Sequence, residues 1–256
     1  MRALVTAALA GVAVAQLATF LTTVYLHRSL SHRALTLRPA LAWVFRVVLW
    51  MTTGLRARQW VAVHRKHHAF TDVEGDPHSP RLLGWVRVQF ANVGLYRKVA
   101  NDPEQVARYA RDLPADRWDR VLFDRAWLGL GIGIGLLVVV FGPWVGLAAA
   151  VIHTLGYLLL NAAVNAITHT FGRRPFDNTA TNLRSLAWVT MGEGLHNNHH
   201  AVPTSARLSL ARGEFDPAWP VIALFRRFGW LTVRIHRTKV LERTAPDGER
   251  EPAGVG

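Results

Sequence analysis

The sequence contains no cysteine, which excludes a disulfide framework and any metal or redox site held by thiolates. Acid is scarce as well: 17 Asp and Glu face 30 Lys and Arg, for a formal charge of +13. Such an excess suits nucleic acid or an anionic membrane surface, and the placement of the charges separates the two. The basic residues flank apolar runs, and no basic groove interleaved with aromatics is visible, so nucleic acid is not an expected partner. There is no HPGG haem motif, no flavin fingerprint and no internal repeat. Half of the 256 residues are hydrophobic, enough for one domain with a sizeable core.

Charge itself is missing over two long stretches. Residues 3–26 carry none, and 24 helical residues reach roughly 36 Å, enough to cross a hydrocarbon core of about 30 Å. A cleaved signal peptide is the competing reading, since Arg2 precedes an apolar stretch and Ala13-Val14-Ala15 resembles a cleavage site. The apolar run continues through Leu17, Phe20, Leu21, Val24 and Leu26, which favours a span. Ala126 to Gly172 holds no Asp, Glu, Lys or Arg and is broken at Gly142-Pro143, predicting a hairpin of two spans with Trp127 and Trp144 as interface anchors. Leu41 to Leu55 is shorter and carries Arg46 near its middle. An interfacial helix with the guanidinium snorkelling to headgroups is the expected solution.

Between these stretches, residues 56–125 are mixed in charge, with turn signals at Gly75-Asp76-Pro77, Asp102-Pro103 and Leu113-Pro114, and predict a folded aqueous lobe. Residues 218–231, AWPVIALFRRFGWL, predict an amphipathic helix on the membrane surface. One domain over 1–240 is expected, with a disordered tail over 241–256.

What the chain has in abundance is histidine in clusters. HRSLSH (27–32), HRKHH (64–68), NAITH (165–169) and HNNHH (196–200) hold all but His78, His153 and His236. An HxxHH triplet on a helix lies within about 100° of arc, so each one aims three nitrogens at one point. Asn165 and His169 share a face one turn apart, while the i, i+5 spacing of His27 and His32 predicts a helix end or a break. A lone histidine is more often structural, but clusters of this kind are not. Imidazole suits zinc, copper and iron alike, and so many ligands exceed what one zinc takes, which argues for two metals. Asn161 is expected to pair between helices and His153 to make a structural hydrogen bond. Asp72, Asp76 and His78 are expected to orient ligands or to serve as turn residues.

HRSLSHR, HRKHH and HNNHH, with EGDPHSP after the second and NAITHTFGRRPFDN before the third, resemble the membrane fatty acyl desaturase family, especially its short bacterial members. The resemblance covers residues 20 to 235. It implies an all-α integral membrane fold with about three spans, interfacial helices and a cytoplasmic helical lobe. It further implies a non-haem centre of two Fe ions that uses O2 and two external electrons to desaturate an acyl chain. Carried over residue by residue, the metal ligands would be His27, His32, His64, His67, His68, His169, His196, His199 and His200, with Asn165 acting through a water. The same architecture serves membrane hydroxylases, and a non-catalytic metal-binding or transport protein is a third reading.

If Leu41 to Leu55 crossed the bilayer, the first two boxes would lie on opposite faces, so it must lie on or dip into one face. The hairpin then returns the third box to the same side. Arg28, Arg33, Arg38, Arg56 and Arg58 mark that side as cytoplasmic, which predicts a multi-pass protein of the bacterial inner membrane. With no electron carrier in the chain, the donor must be a partner such as a ferredoxin with its reductase. Acyl-CoA members of the family carry an Arg-Asp pair where this chain has Ala62 and Val63, and an asparagine where it has Leu55. Arg56 and Arg58 are the remaining candidates for a phosphate headgroup. The substrate ranking is acyl-CoA, then acyl lipid, then acyl-carrier protein.

Overall fold

A computed structural model describes residues 1–234; the expected tail over 241–256 lies outside them. The first helix runs without interruption from Arg2 to Ser31 and is, among the described residues, one of two helices long and apolar enough to cross a membrane by length and composition. Its first part, α1 (Arg2–Leu21), is regular, and its last ten residues, Thr22–Ser31, are wound as a π-helix. The second long helix is α8 (Pro143–Thr168), which packs along α1. Proline at its first position supplies a fixed φ and costs no hydrogen bond there.

The shorter apolar helices are α2 (Pro39–Thr53) and α7 (Ala126–Phe141), which lie against each other. Gly133 of α7 has no room for a Cβ against the Met51 carbonyl, so the glycine is what allows this close approach. The predicted hairpin is present as α7 and α8, although the 16 residues of α7 fall short of the length of a full span. Arg46 departs from expectation. It turns back to the lobe, bonding Asp116 at 2.6 and 3.0 Å and Asp119 at 2.5 Å, with its guanidinium 4.1 Å from the Phe123 ring centroid. Two local carboxylates stabilise it in place of lipid headgroups.

The lobe comprises α3 (Ala57–Ala69), α4 (Pro80–Leu83), α5 (Trp85–Ala100), α6 (Pro103–Tyr109) and a π turn at Asp119–Phe123. Asp102 and Ser79 cap α6 and α4 through their side chains. After α8 come α9 (Arg184–Val189), α10 (His196–Ala201) and the predicted amphipathic helix, α11 (Ala218–Arg227).

The fold is not purely helical. β1 (Leu35–Leu37) pairs antiparallel with β2 (Leu231–Val233), with Leu37 opposite Leu231. Leu35 and Leu37 are buried with Thr36 exposed between them, an alternation too short to register in sequence periodicity. The pairing ties the stretch after the first histidine box into a core of Leu21, Val24, Leu26, Phe45, Leu49 and Ile222.

Candidate metal centre

Four segments deliver the histidines to one place. His27 lies in the π segment and His32 directly caps it, its backbone N–H donating to the His27 carbonyl. The i, i+5 hydrogen bonding of a π-helix brings residues five apart onto one face, and the two rings stand 4.9 Å apart. The predicted helix end is therefore present, but the turn before it is widened instead of broken. α3 presents His64, His67 and His68; the end of α8 presents His169; α10 presents His196, His199 and His200.

These nine form two groups. His27, His32, His64, His68 and His199 can each offer a ligand atom within 4.8 Å of the others, and so can His67, His169, His196 and His200. Within the first group Nε2 atoms lie 2.7 Å apart for His32 and His64 and 3.0 Å apart for His27 and His199. Two nitrogens each ~2.1 Å from one ion stand ~3 Å apart, so these separations fit shared coordination. The Nε2 atoms of His67 and His169 are buried with no hydrogen-bond partner among the described residues. A buried orphan donor or acceptor is costly, and a metal ion relieves that cost. The donor set fits two ions.

Protonation and orientation agree with that fit. Burial, then neighbouring imidazoles, pushes His64, His68, His199 and His200 well below the ordinary histidine range. Burial likewise lowers His67 and His78 to about 3. Neutral imidazole is the form that binds metal. Nδ1 of His169 faces Asp72 at 2.7 Å, Nδ1 of His67 faces Asp76 at 3.0 Å, and Nδ1 of His27 faces Glu193 at 2.7 Å. A carboxylate on one ring nitrogen fixes the tautomer and turns the other toward the ion. Burial raises the Asp72 carboxyl, but the His169 hydrogen bond and charge outweigh it, leaving it below the usual range. Asp72 and Asp76 thus hold the His169 and His67 rings, and Asp76 also closes the turn by accepting the Asp72 and His78 backbone N–H groups, so both expected roles are combined.

His78 orients no ring among the described residues. It lies beside His67, ring centroids 4.9 Å apart, with both nitrogens buried and unpaired among the described residues. It forms a further group with His67 and Asp76. His153 makes its expected structural bond, to the Thr52 carbonyl at 2.7 Å. Asn161 bonds back to the Tyr157 carbonyl of its own helix, where pairing between helices was expected. A side-chain amide reaches the second lone pair of the carbonyl one turn back on its own helix more easily than a neighbouring helix. Asn165 lines a cavity of about 50 Å³ together with His27, Trp60, His64, Val164 and His196, so it faces both histidine groups. Trp60 stacks on His64 at 5.0 Å.

Two features escaped the sequence reading. Glu193 is one. The other is Arg28, whose guanidinium is buried and forked onto Asp216 at 2.8 and 3.0 Å, while also donating to the Ala206 and Met191 carbonyls. Its charge is neutralised inside the protein, so of the arginines expected to mark the box side it is not one that faces solvent. Gly192, at φ +98°, has no space for a side chain against Asp216, which explains the glycine before Glu193. The pairing of HRSLSH with an aspartate beyond the third box could have been sought only by knowing that Arg28 is buried. Arg56 and Arg58 line a hollow of about 130 Å³ with Asp119 and Asp124. Arg56 bonds the Asp124 carbonyl at 2.7 Å and Arg58 the Leu113 carbonyl, so a phosphate there would compete with existing partners.

The fatty acid desaturase model matches residues 3–231. An acyl-CoA C20 delta5-desaturase of Anemone leveillei is 34% identical over 86% of this chain and 72% of its own length. An sn-1 stearoyl-lipid 9-desaturase of Synechocystis is 28% identical over 81% of this chain and 64% of that protein. A hex-5-enoyl-[acyl-carrier protein] acetylenase of Moorena producens is 27% identical over 86% and 74%. The chain belongs to the fatty acid desaturase family: it is a fatty acyl desaturase, an oxidoreductase of lipid metabolism. These three relatives are named for three different acyl carriers, and none is matched over its full length.

Proposed function

We propose that the protein is an O2-dependent diiron desaturase that places a double bond in a fatty acyl chain, with acyl-CoA as the first-ranked substrate and electrons from an external carrier. The observation that carries this reading is the convergence of His27, His32, His64, His67, His68, His169, His196, His199 and His200 into two adjoining groups beside the cavity that Asn165 lines. Two irons held by these residues would supply O2 activation and the oxidising power needed to take hydrogen from a methylene. The overall change is R–CH2–CH2–R′ + O2 + 2 e⁻ + 2 H⁺ → R–CH=CH–R′ + 2 H2O.

The protein's own part is orientation and exclusion of water. Glu193, Asp72 and Asp76 hold His27, His169 and His67 with Nε2 toward the centre. Thr22, Trp60, Leu160, Val164 and Asn165 line the cavity on the side of the apolar helices, where an acyl chain would meet the centre away from water. Asn165 would orient a water beside it. Arg56 and Arg58 remain the headgroup candidates, gripping phosphate only by exchanging their present carbonyl partners. The boxes then lie at the cytoplasmic face of a bacterial inner membrane, with α7, shorter than a full span, making the third crossing where the bilayer thins around it.

Expression in a host lacking desaturase, followed by mass spectrometric location of new double bonds, tests the reading. A hydroxylated chain would replace it with the hydroxylase reading, and absence of reductant-dependent O2 uptake would leave a non-catalytic metal protein. Metal analysis should give two irons per chain; one zinc and no iron would sink the assignment.

A further inference from the structure

The two histidine groups are approached from two sides. The cavity beside Thr22, Trp60 and Val164 lies among the long apolar helices. On another side, a shallow depression of about 600 Å³ is lined by His32, His68 and His200, with Arg65, Asn178 and Thr179 on its walls. His32 and His68 belong to one group and His200 to the other, and all three are half-buried, as is His64 on the side of the other cavity, whereas His27, His67, His169, His196 and His199 are buried. This depression is where half-buried members of both groups line one surface.

One loop links the depression to a basic cavity. The loop that contributes Asn178 and Thr179 begins with Arg173 and Arg174, which line a neighbouring cavity of about 1010 Å³ with Arg184 and Arg212. Among the described residues none of these four guanidinium groups has a carboxylate partner. The acid that lines the same cavity, Glu214, is already occupied by Asn182, Asn198 and the Leu210 and Ala211 amides. Arg174 and Asn178 are four positions apart, a span of at most ~14 Å. The loop is fixed: Asn197, inside the third box, bonds Phe176, Asn178 and Ala180.

We infer that this face is the docking surface for an acidic one-electron carrier protein, with the arginines as its electrostatic rim and the His32, His68 and His200 edges as the point of electron entry. A redox encounter of under about 1,200 Å² in total is roughly 25 Å across on each partner, wide enough to cover the rim and the depression together. Charge complementarity steers such short-lived encounters. The inference rests on the desaturase reading and locates its electron supply. Each turnover needs two encounters, each oxidising the carrier by one electron. Those two electrons, with two from the acyl C–H bonds, reduce O2 to two waters; two of the four protons come from the acyl chain and two from solvent.

The test uses the metal-loaded full chain and a plant-type [2Fe–2S] ferredoxin. Binding is titrated with oxidised ferredoxin over a salt series, and electron delivery is followed as oxidation of the reduced ferredoxin. Arg173→Glu with Arg174→Glu should weaken binding tenfold or more and flatten its salt dependence. Arg97→Glu with Lys98→Glu, an equal charge change on α5, should leave binding within twofold. Equal weakening by both pairs would reduce the surface to net charge alone and overturn the inference, as would wild-type affinity in the first pair or no binding by the wild type at low salt. A loss confined to acyl-carrier-protein affinity or to partition onto phosphatidylglycerol vesicles would reassign the arginines and overturn it equally. Wild-type protein that binds ferredoxin but never oxidises it with O2 and acyl substrate would instead sink the desaturase reading.

Discussion

The two histidine groups are built by different means. In the four-member group, His67 and His169 are each gripped by an aspartate from the 72–76 loop, whose chain turns through Asp72 at φ +60°. In the five-member group one ring, His27, has a carboxylate; His64 is held by the Trp60 face, and the remaining rings lean on one another. Hydrogen-bonded carboxylates define a ring's tautomer and angle, while ring packing defines mainly its position. Two of four rings in one group are thus set by charge against one of five in the other, which would depend more on a bound metal to order it.

The largest effect expected is loss of a ligand at the heart of the five-member group. His199→Ala should abolish turnover, and metal analysis should show the five-member group depleted. Turnover at the wild-type rate would remove His199 from the centre. Next come the carboxylates. Asp72→Asn and Asp76→Asn should weaken metal retention by about 10- to 100-fold, measured by competition with a chelator, and the ion lost first should be the one on the four-member side. If Glu193→Gln costs more than either aspartate change, the contrast between the groups is wrong.

Acid should separate holding from folding. His67 and His78 are lowered to about 3 in the folded chain, whereas an unfolded imidazole titrates near about 6.5. Between those values the unfolded chain binds protons that the folded one does not, so stability rises with pH across the window. Metal-free protein should therefore lose stability as pH falls from about 6.5 toward about 3, by on the order of 1 kcal/mol per pH unit for the adjoining pair together. Denaturant melts in detergent at pH 7, 6 and 5 check this. A flat profile would show that these rings are not buried neutral.

Much of this centre was legible because its chemistry is local. HxxHH on a helix and Asn165 with His169 one turn apart state their faces in the sequence. The parts that were not legible depend on distant partners. Arg28 reads as a charge at a membrane edge until Asp216 is brought to it by chain far downstream, and Arg46 reads as snorkelling until Asp116 and Asp119 arrive beneath it. Glu193 reads as one acid in a glycine-flanked loop until the π-helix rotates His27 toward it. The small sheet of Leu35–Leu37 and Leu231–Val233 joins segments nearly the whole chain apart, which periodicity cannot report.

The smallest effect expected comes from two amides on one helix. Asn165 and Asn161 stand one turn apart on α8, and both line the cavity beside the histidines. Asn161 is occupied by the Tyr157 carbonyl, so its side chain belongs chiefly to the helix. Asn165 shares its cavity with His27 and His64 of one group and His196 of the other, and an amide there can donate to or accept from a water held between them. Asn165→Ala should lower turnover by about tenfold, the scale of one lost oriented hydrogen bond of ~1.4 kcal/mol, while leaving melting behaviour near that of the wild type. Asn161→Ala should change turnover less than threefold, because the carbonyl it leaves behind still carries its backbone helix bond. Equal losses in the two variants would mean that the cavity reads its overall polarity and that neither amide is singled out by its neighbours. A larger loss at Asn161 would move the oriented water one turn away from both histidine groups.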